Sequence, residues 1–185
     1  IIFALDHIMK NRKPDIILSG INWGYNLSED IFYSGTVAAA TEGADRGIPS
    51  IALSQAYKEP KQELNPYLFA ESCGSKLCLS LYENFSVALE KTALNVNFPA
   101  DPLVKYPDCI KITQVGKRER SNFGIKIVSK SRNLYTATID SISTNRSSTS
   151  NDDYVNCLNG YITISPVSTF IQKEKSVQEL RKVKF

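Results

Sequence analysis

Between Ser19 and Thr36 the chain concentrates amide and hydroxyl side chains, namely Ser19, Asn22, Asn26, Ser34 and Thr36. Oxygens of this kind are hard donors that suit divalent cations and phosphate groups better than soft metals. Ser34 has the character of a helix N-cap, because Val37-Ala38-Ala39-Ala40 behind it is a run of helix formers. Gly35 between them lets a ligand come close to the first backbone N–H groups, which point at the positive end of the helix dipole. Together these are the parts of an anion site. The glycines are not a nucleotide fingerprint of the usual sort. Gly20 and Gly24 do not form G-x-G-x-x-G, and no lysine follows as in a Walker loop. A turn that merely closes the chain is the plainer alternative, but such a turn needs far fewer polar side chains.

The elements around this loop follow from periodicity. Ile16-Ile17-Leu18 behind Pro14 is a short apolar run, the pattern of a parallel strand covered on both faces. The polar loop therefore leaves a sheet at its carboxyl end, where open α/β sheets bind ligands. Ile1 to Lys13 is expected as the last turns of a helix, with Ile1, Leu5, Ile8 and Met9 on one face. After the small-residue helix, Gly47-Ile48-Pro49 is a stop signal ahead of a second buried strand, Ser50 to Ser54. The two strands and their helix make a right-handed βαβ unit. Gln55 to Pro66 is expected as a surface loop. Tyr67 to Glu83 is expected as a helix packed through Phe69, Cys73, Leu77 and Leu81. Leu94 to Phe98 is a third buried strand. Its Asn95 and Asn97 either face the active-site rim or serve as satisfied strand-end caps.

From Cys109 the pattern changes to alternation. Ile110 to Thr113, Ile125 to Val128 and Tyr135 to Ile139 read as antiparallel strands with one wet face. Turns are expected at Asn122-Phe123-Gly124 and Ser131-Arg132-Asn133. Ser141 to Asn151 is low in complexity and reads as a loop beside the pocket. Gly160 to Ser165 is a last strand, and Ile171 to Lys184 a short helix or arm docked on a partner. The fold class is α/β: a Rossmann-like, mostly parallel sheet flanked by helices, with an antiparallel β extension and a C-terminal arm. The 185 residues are read as one domain, with the core in 1–108 and the extension, last core strand and arm in 109–185.

Four cysteines without a C-x-x-C pair and a single histidine, His7, leave no Cys/His zinc pattern. Scattered reduced thiols fit a cytoplasmic protein, and any metal must rest on oxygen. No apolar run approaches a membrane span. Lys111 to Arg132 holds seven Lys/Arg against one acid, Glu119. That face either steers anionic substrates or is simply solvated. The absence of interleaved aromatics and of any known motif argues against nucleic acid.

SGIN-x-G-x-N from Ser19 to Asn26, then YSGTVAAA from Tyr33 and GIPSIALS from Gly47, resembles the SurE family of metal-dependent survival phosphatases. Asn95-Val96-Asn97-Phe98-Pro99, the segment from Ile112 to Arg118, and Asp153 ahead of Gly160 to Pro166 are similar to later landmarks of that family. The resemblance implies hydrolysis of nucleoside 5′-monophosphates by metal-assisted attack of water, with Mg²⁺ or Mn²⁺ as cofactor and a homodimer or homotetramer as the assembly. It assigns Asn22 to the metal, and Asn26, Ser34, Gly35 and Thr36 to the phosphate. Members of the family open with a strand ending in Asn-Asp-Asp-Gly, whose aspartates hold the metal. No such sequence occurs near Ile1, and Asn151-Asp152-Asp153-Tyr154 is read as a polar loop that does not replace it. The resemblance thus implies the signature half of the site without its acidic half, so the catalytic residues are left unassigned. It leaves a non-catalytic remnant or a nucleotide-binding or oligomerisation module as the rival expectation.

Overall fold

The structure is a computed structural model that describes residues 1–57, 65–85, 91–117, 123–141 and 151–169. Five strands form the central sheet in the order β1-β2-β3-β7-β4. They are β1 (Ile17–Trp23), β2 (Ser50–Gln55), β3 (Ala93–Phe98), β4 (Ile110–Ile112) and β7 (Ile162–Val167). β1, β2 and β3 run parallel, β7 is antiparallel to β3, and β4 is parallel to β7. The helices are α1 (Gly35–Asp45), α2 (Leu68–Phe85) and α3 (Asp153–Leu158). A separate hairpin consists of β5 (Phe123–Ser131) and β6 (Leu134–Ser141). This is the expected α/β sheet with an antiparallel extension.

The two faces of the sheet differ in chemistry, and alternation along the strands decides which residue lies on which. One face presents Ile51, Leu53, Leu94, Val96, Phe98, Ile162 and Ile164, and α2 covers it with Ala70, Cys73, Leu77, Cys78 and Leu81. Burying these side chains contributes about 1.5–3 kcal/mol for each large one, so this layer is the main source of stability. The cysteines are core filler here, free and buried. The other face presents Ala52, Ala93 and Val167 under α1, whose Val37, Ala40 and Ala44 pack against them. α1 is built from small residues, so it lies close to the sheet. A methyl group on Gly43 would stand 2.4 Å from Ile17 Cδ1 and 2.5 Å from Ser50 Oγ.

Several expectations change. Ile110 to Thr113 is not part of an antiparallel extension. It pairs in parallel with β7 as the edge of the main sheet, and the Thr113 N–H continues the ladder to the Ile164 carbonyl. Its alternation does not mark a dry face here, since Ile110 is half-buried but Ile112 is exposed like Lys111. The helical turns expected from Ile1 to Lys13 stop at Ile8. The segment makes one π-helical turn, Ala4–Ile8, with no buried residue. An apolar stripe without a surface to pack on does not stabilise a helix. Asp6 of this turn pairs with Arg46 at the end of α1, and His7 stacks on Phe3 at 5.0 Å, away from the polar loop. The main-sheet strand after Gly160 runs to Val167 and includes Pro166. Proline fits there because β4 ends level with Ile164, which leaves Pro166 on an open edge. Phe123 and Gly124, expected in a turn, instead begin strand β5. Most of the Gln55 to Pro66 loop, Asn122, residues 142–150 and the Ile171 to Lys184 arm lie outside the described residues.

Candidate phosphate and metal site

A single register line crosses the whole sheet near the carboxyl ends of the parallel strands. Asn22 lies opposite Ser54, Ser54 opposite Asn97, Asn97 opposite Thr163, and Thr163 opposite Lys111. Every position on that line is polar. One step back, Asn95 lies opposite Ser165, whose hydroxyl shares a 2.8 Å hydrogen bond with Thr113. The apolar cover of this face ends under α1, and the polar stretch beyond it is covered by the loop from Gly24 to Ser34.

That loop is held by buried side chains. The Asn26 N–H donates to Asn97 Oδ1 at 2.7 Å, and the Asn26 carbonyl accepts from Asn95 Nδ2 at 2.8 Å and Asn97 Nδ2 at 3.2 Å. Asn26 Nδ2 in turn donates to Ser54 Oγ at 2.7 Å. Asn26 is therefore buried and locked, and what it keeps for a ligand is one amide N–H and its amide oxygen. Asn95 and Asn97 are fully buried. They bind the loop, so they are neither free rim groups nor plain strand-end caps. Among the described residues, Asn95 Oδ1 and Thr163 Oγ1 have no hydrogen-bond partner, which leaves lone pairs beneath the loop for water or a ligand.

Asp153 anchors the next turn of the same loop. Its carboxylate accepts from the Ser28 N–H at 3.0 Å and the Gly116 N–H at 2.9 Å. Ser28 sits in the left-handed region at φ 54, a conformation that an L-residue keeps only when its surroundings fix it. Burial pushes the Asp153 carboxyl above the ordinary carboxylate value, although the backbone N–H donors pull the other way. The Asn151 to Tyr154 segment is thus not an open polar loop. Asp152 caps α3 by accepting from the Val155 N–H at 2.8 Å, and this turns Asp153 inward. The sequence signal for this was available: Asp152-Asp153 precedes a short helical stretch, and the first aspartate is a good N-cap.

Beyond the anchored segment a 3₁₀ turn, Ser28–Tyr33, leads into α1. Ser34 caps α1 as expected, its hydroxyl accepting from the Val37 N–H at 3.1 Å. The N–H groups of Gly35 and Thr36 have no intrahelical acceptor. Nothing lies within 4 Å of where a Gly35 Cβ would stand. Two donors thus remain at the positive end of the helix, with Gly35 exposed and Thr36 half-buried. Asn22 is half-buried at the end of β1, where its Nδ2 donates to the Gly24 carbonyl at 3.0 Å. This fixes the amide and leaves its oxygen outside that bond. Among the described residues no group of three or more His, Cys, Asp or Glu side chains is placed to hold a metal.

A mixed sheet with a clamped polar loop at the carboxyl edge of its parallel strands, leading into a capped helix start, defines an α/β protein of Rossmann-like layout. The family follows from comparison. A model of "Survival protein SurE" matches residues 1–122, and the chain belongs to that family. The 5′-nucleotidase SurE of Campylobacter jejuni (serotype O:6, strain 81116) is 35% identical over 179 residues, covering 97% of this chain and 67% of the relative. That of Ehrlichia ruminantium (strain Gardel) is 40% identical over 172 residues, covering 90% and 64%. The crystal structure of the SurE protein from Aquifex aeolicus superposes with a TM-score of 0.69 at 30% identity, covering 97% of this chain and 71% of that one. The chain thus spans about two thirds of the length of these curated 5′-nucleotidases. No helix among the described residues is long and apolar enough to cross a membrane.

Proposed function

We propose that the protein hydrolyses phosphate monoesters, nucleoside 5′-monophosphates foremost, by attack of water assisted by Mg²⁺ or Mn²⁺. The observation that carries this reading is the start of α1, where Ser34 caps the helix, the Gly35 and Thr36 N–H groups have no intrahelical acceptor, and nothing stands within 4 Å of the Gly35 Cβ position. Phosphate oxygens accept from those two donors. The Ser34 oxygen accepts from Val37, so the Ser34 proton is left to donate to a third phosphate oxygen. As charge moves onto the phosphoryl oxygens in the transition state, these fixed donors stabilise it without reorganising.

The Asn22 amide oxygen is a hard neutral donor and fits a divalent ion as one ligand among the roughly six such an ion takes. When bound, the ion supplies Lewis-acid polarisation of a phosphoryl oxygen and a water of lowered pKa. Asn26, held by Asn95 and Asn97, sets the distance between Asn22 and the helix start. Four free thiols fit a reducing, cytoplasmic setting, and the exposed β5–β6 hairpin supports assembly as a homodimer or homotetramer.

The test pairs calorimetry of inorganic phosphate with release of phosphate from adenosine 5′-monophosphate and from an aryl phosphate, with either metal and with EDTA. Phosphate binding that Gly35→Val abolishes, together with chelator-sensitive turnover, is the expected result. Nucleotide binding without turnover would leave the module reading. Absence of phosphate binding would remove both.

A further inference from the structure

Two large aromatic side chains are left exposed at the entrance to α1. Phe32 is 62% and Tyr33 70% exposed, and they directly precede Ser34, the cap of the helix. The turn that carries them explains why they point outward. Residues three apart share a face in a 3₁₀ helix, and in Ser28–Tyr33 the inward face holds Ser28 and Ile31. Ser28 is buried, and Ile31 packs against the cluster of Val37, Ala40 and Ala44. The two positions that follow Ile31 therefore turn away from the core. The turn is also fixed at both ends. The Ser28 N–H donates to the Asp153 carboxylate at 3.0 Å, and the Ser34 N–H reaches the Ile31 carbonyl at 3.4 Å. Both rings thus stand on anchored backbone.

Ser34 itself is extended, with φ −94 and ψ 116, and the side chains that flank an extended residue lie on one side of the chain. Tyr33 therefore shares its side with Gly35, where nothing stands within 4 Å of the Cβ position. Successive Cα atoms are about 3.8 Å apart, so Tyr33 starts no more than about 7.6 Å from Gly35. Phe32 lies a third of a turn away from it. We propose that Tyr33 is the stacking platform for the base of the nucleotide whose phosphate sits at the start of α1. This deepens the proposed function and rests on it. A phosphate on the Gly35 and Thr36 N–H groups leaves its ester substituent in the open space beside Gly35, and Tyr33 borders that space. Stacking uses the π-face that every base has. The platform therefore selects an ester that carries a base over one that lacks it, and discriminates little among bases. A ring on anchored backbone has little freedom left to lose when a base stacks on it, which favours binding.

The experiment compares three ligands by calorimetry. The full chain is titrated with adenosine 5′-monophosphate, ribose 5-phosphate and inorganic phosphate, with EDTA to stop turnover and with Mg²⁺. The wild type should bind the nucleotide on the order of tenfold to a hundredfold more tightly than ribose 5-phosphate. Tyr33→Ala should remove most of that preference by weakening the nucleotide alone. Tyr33→Phe, which keeps a stacking face, should retain it. Phe32→Ala is the control and should leave all three affinities unchanged. Three outcomes would overturn the platform and leave the phosphate site standing: equal wild-type affinity for nucleotide and ribose 5-phosphate, equal weakening of both in Tyr33→Ala, or loss of the preference in Phe32→Ala instead. If none of the three ligands binds the wild type, the phosphate site itself fails and the platform with it.

Discussion

Asn97 of β3 grips both ends of the Asn26 residue: its amide oxygen takes the Asn26 N–H at 2.7 Å and its amide nitrogen reaches the Asn26 carbonyl at 3.2 Å. Both residues are buried, so removing Asn97 leaves an N–H and part of a carbonyl without a partner. Each such group costs about 1–3 kcal/mol. Asn97→Leu should therefore lower unfolding stability by about 2–5 kcal/mol, measured as a shift in the urea midpoint at unchanged slope. It should also weaken phosphate at α1, because the loop that aims the helix start is no longer fixed. A loss of stability without loss of phosphate affinity would show that the clamp serves the fold alone.

Asp153 provides a pH signature. Its folded value lies above the ordinary carboxylate value because of burial. The sign follows: the folded state holds its proton at a pH where the unfolded state has released it. This group therefore penalises folding above its folded pKa, and the penalty is relieved as pH falls toward the unfolded value of about 3.9. Asp153→Asn removes that slope, so the stability that the variant lacks relative to wild type should grow with falling pH across this window. The variant should also lose stability at neutral pH, since its NH₂ group meets the Ser28 or Gly116 N–H where a carboxylate oxygen accepted both. Chemical denaturation from pH 4 to 7 checks both.

How much of this was legible in the chain varied with the range of the interactions. The βαβ unit was legible in outline, because apolar runs, Ser34 as a cap and Gly47-Ile48-Pro49 as a stop are local signals, but β1 runs on to Trp23 through residues expected to have left the sheet at Ser19. The helix from Tyr67 was too, since its buried face repeats at helical spacing. Strand β4 was not, because Ile110-Lys111-Ile112 alternates in the same way whether it borders a parallel sheet or starts a hairpin. The function of Asn95 and Asn97 was left open for a related reason. Only the fold brings Asn26 to them from 69 and 71 residues away. Asn151 to Tyr154 was read as a polar loop although Asp152 is a good N-cap, and the Ser28 partner of Asp153 lies 125 residues upstream. The Ile1 to Lys13 stripe misled, because periodicity describes a face and says nothing of whether a surface meets it.

Gly20 and Gly35 make a contrasting pair. A Cβ on Gly20 would stand 2.4 Å from the Leu53 carbonyl oxygen, and the residue has φ +117. That atom is backbone inside β2 and cannot swing aside. Gly20→Ala should cost about 2–4 kcal/mol or abolish folding, combining overpacking with left-handed strain. Gly35→Ala meets open space and should change stability by less than about 1 kcal/mol. Thermal melts of the two variants side by side decide it, and equal losses would contradict the assigned packing.

The thiols should be inert in the native state. Burial pushes Cys78 up to about 11 and Cys157 up to about 12. At pH 8 both are neutral thiols under cover, so iodoacetamide should leave them unmodified for as long as the protein stays folded. Mass spectrometry after labelling with and without urea reads the difference. The sign with pH is also fixed. The unfolded thiols ionise near pH 8.5 while the folded ones hold their protons, so these two groups lower stability progressively as pH rises above that value.

The β5–β6 hairpin leads to a prediction about assembly. Ile125 pairs with Ile139 and Ile127 with Ala137, which places four apolar residues on one face. Ile125 is 74% and Ile139 79% exposed. Lys126 and Thr138 pair on the opposite face. A lone two-stranded hairpin is marginal in water, so an apolar strip of this kind gains most by meeting a partner. A second copy of the chain supplies an identical strip, and a two-fold axis closes such a contact on itself. Light scattering at tens of micromolar should return a dimer or tetramer, and Ile139→Glu should shift it toward monomer by burying an unpaired charge. Phosphate binding at α1 should survive the change, because the hairpin contributes no residue to that site. A wild-type monomer at that concentration would assign the strip to some other partner, and an oligomer unchanged by Ile139→Glu would place the contact elsewhere on the molecule.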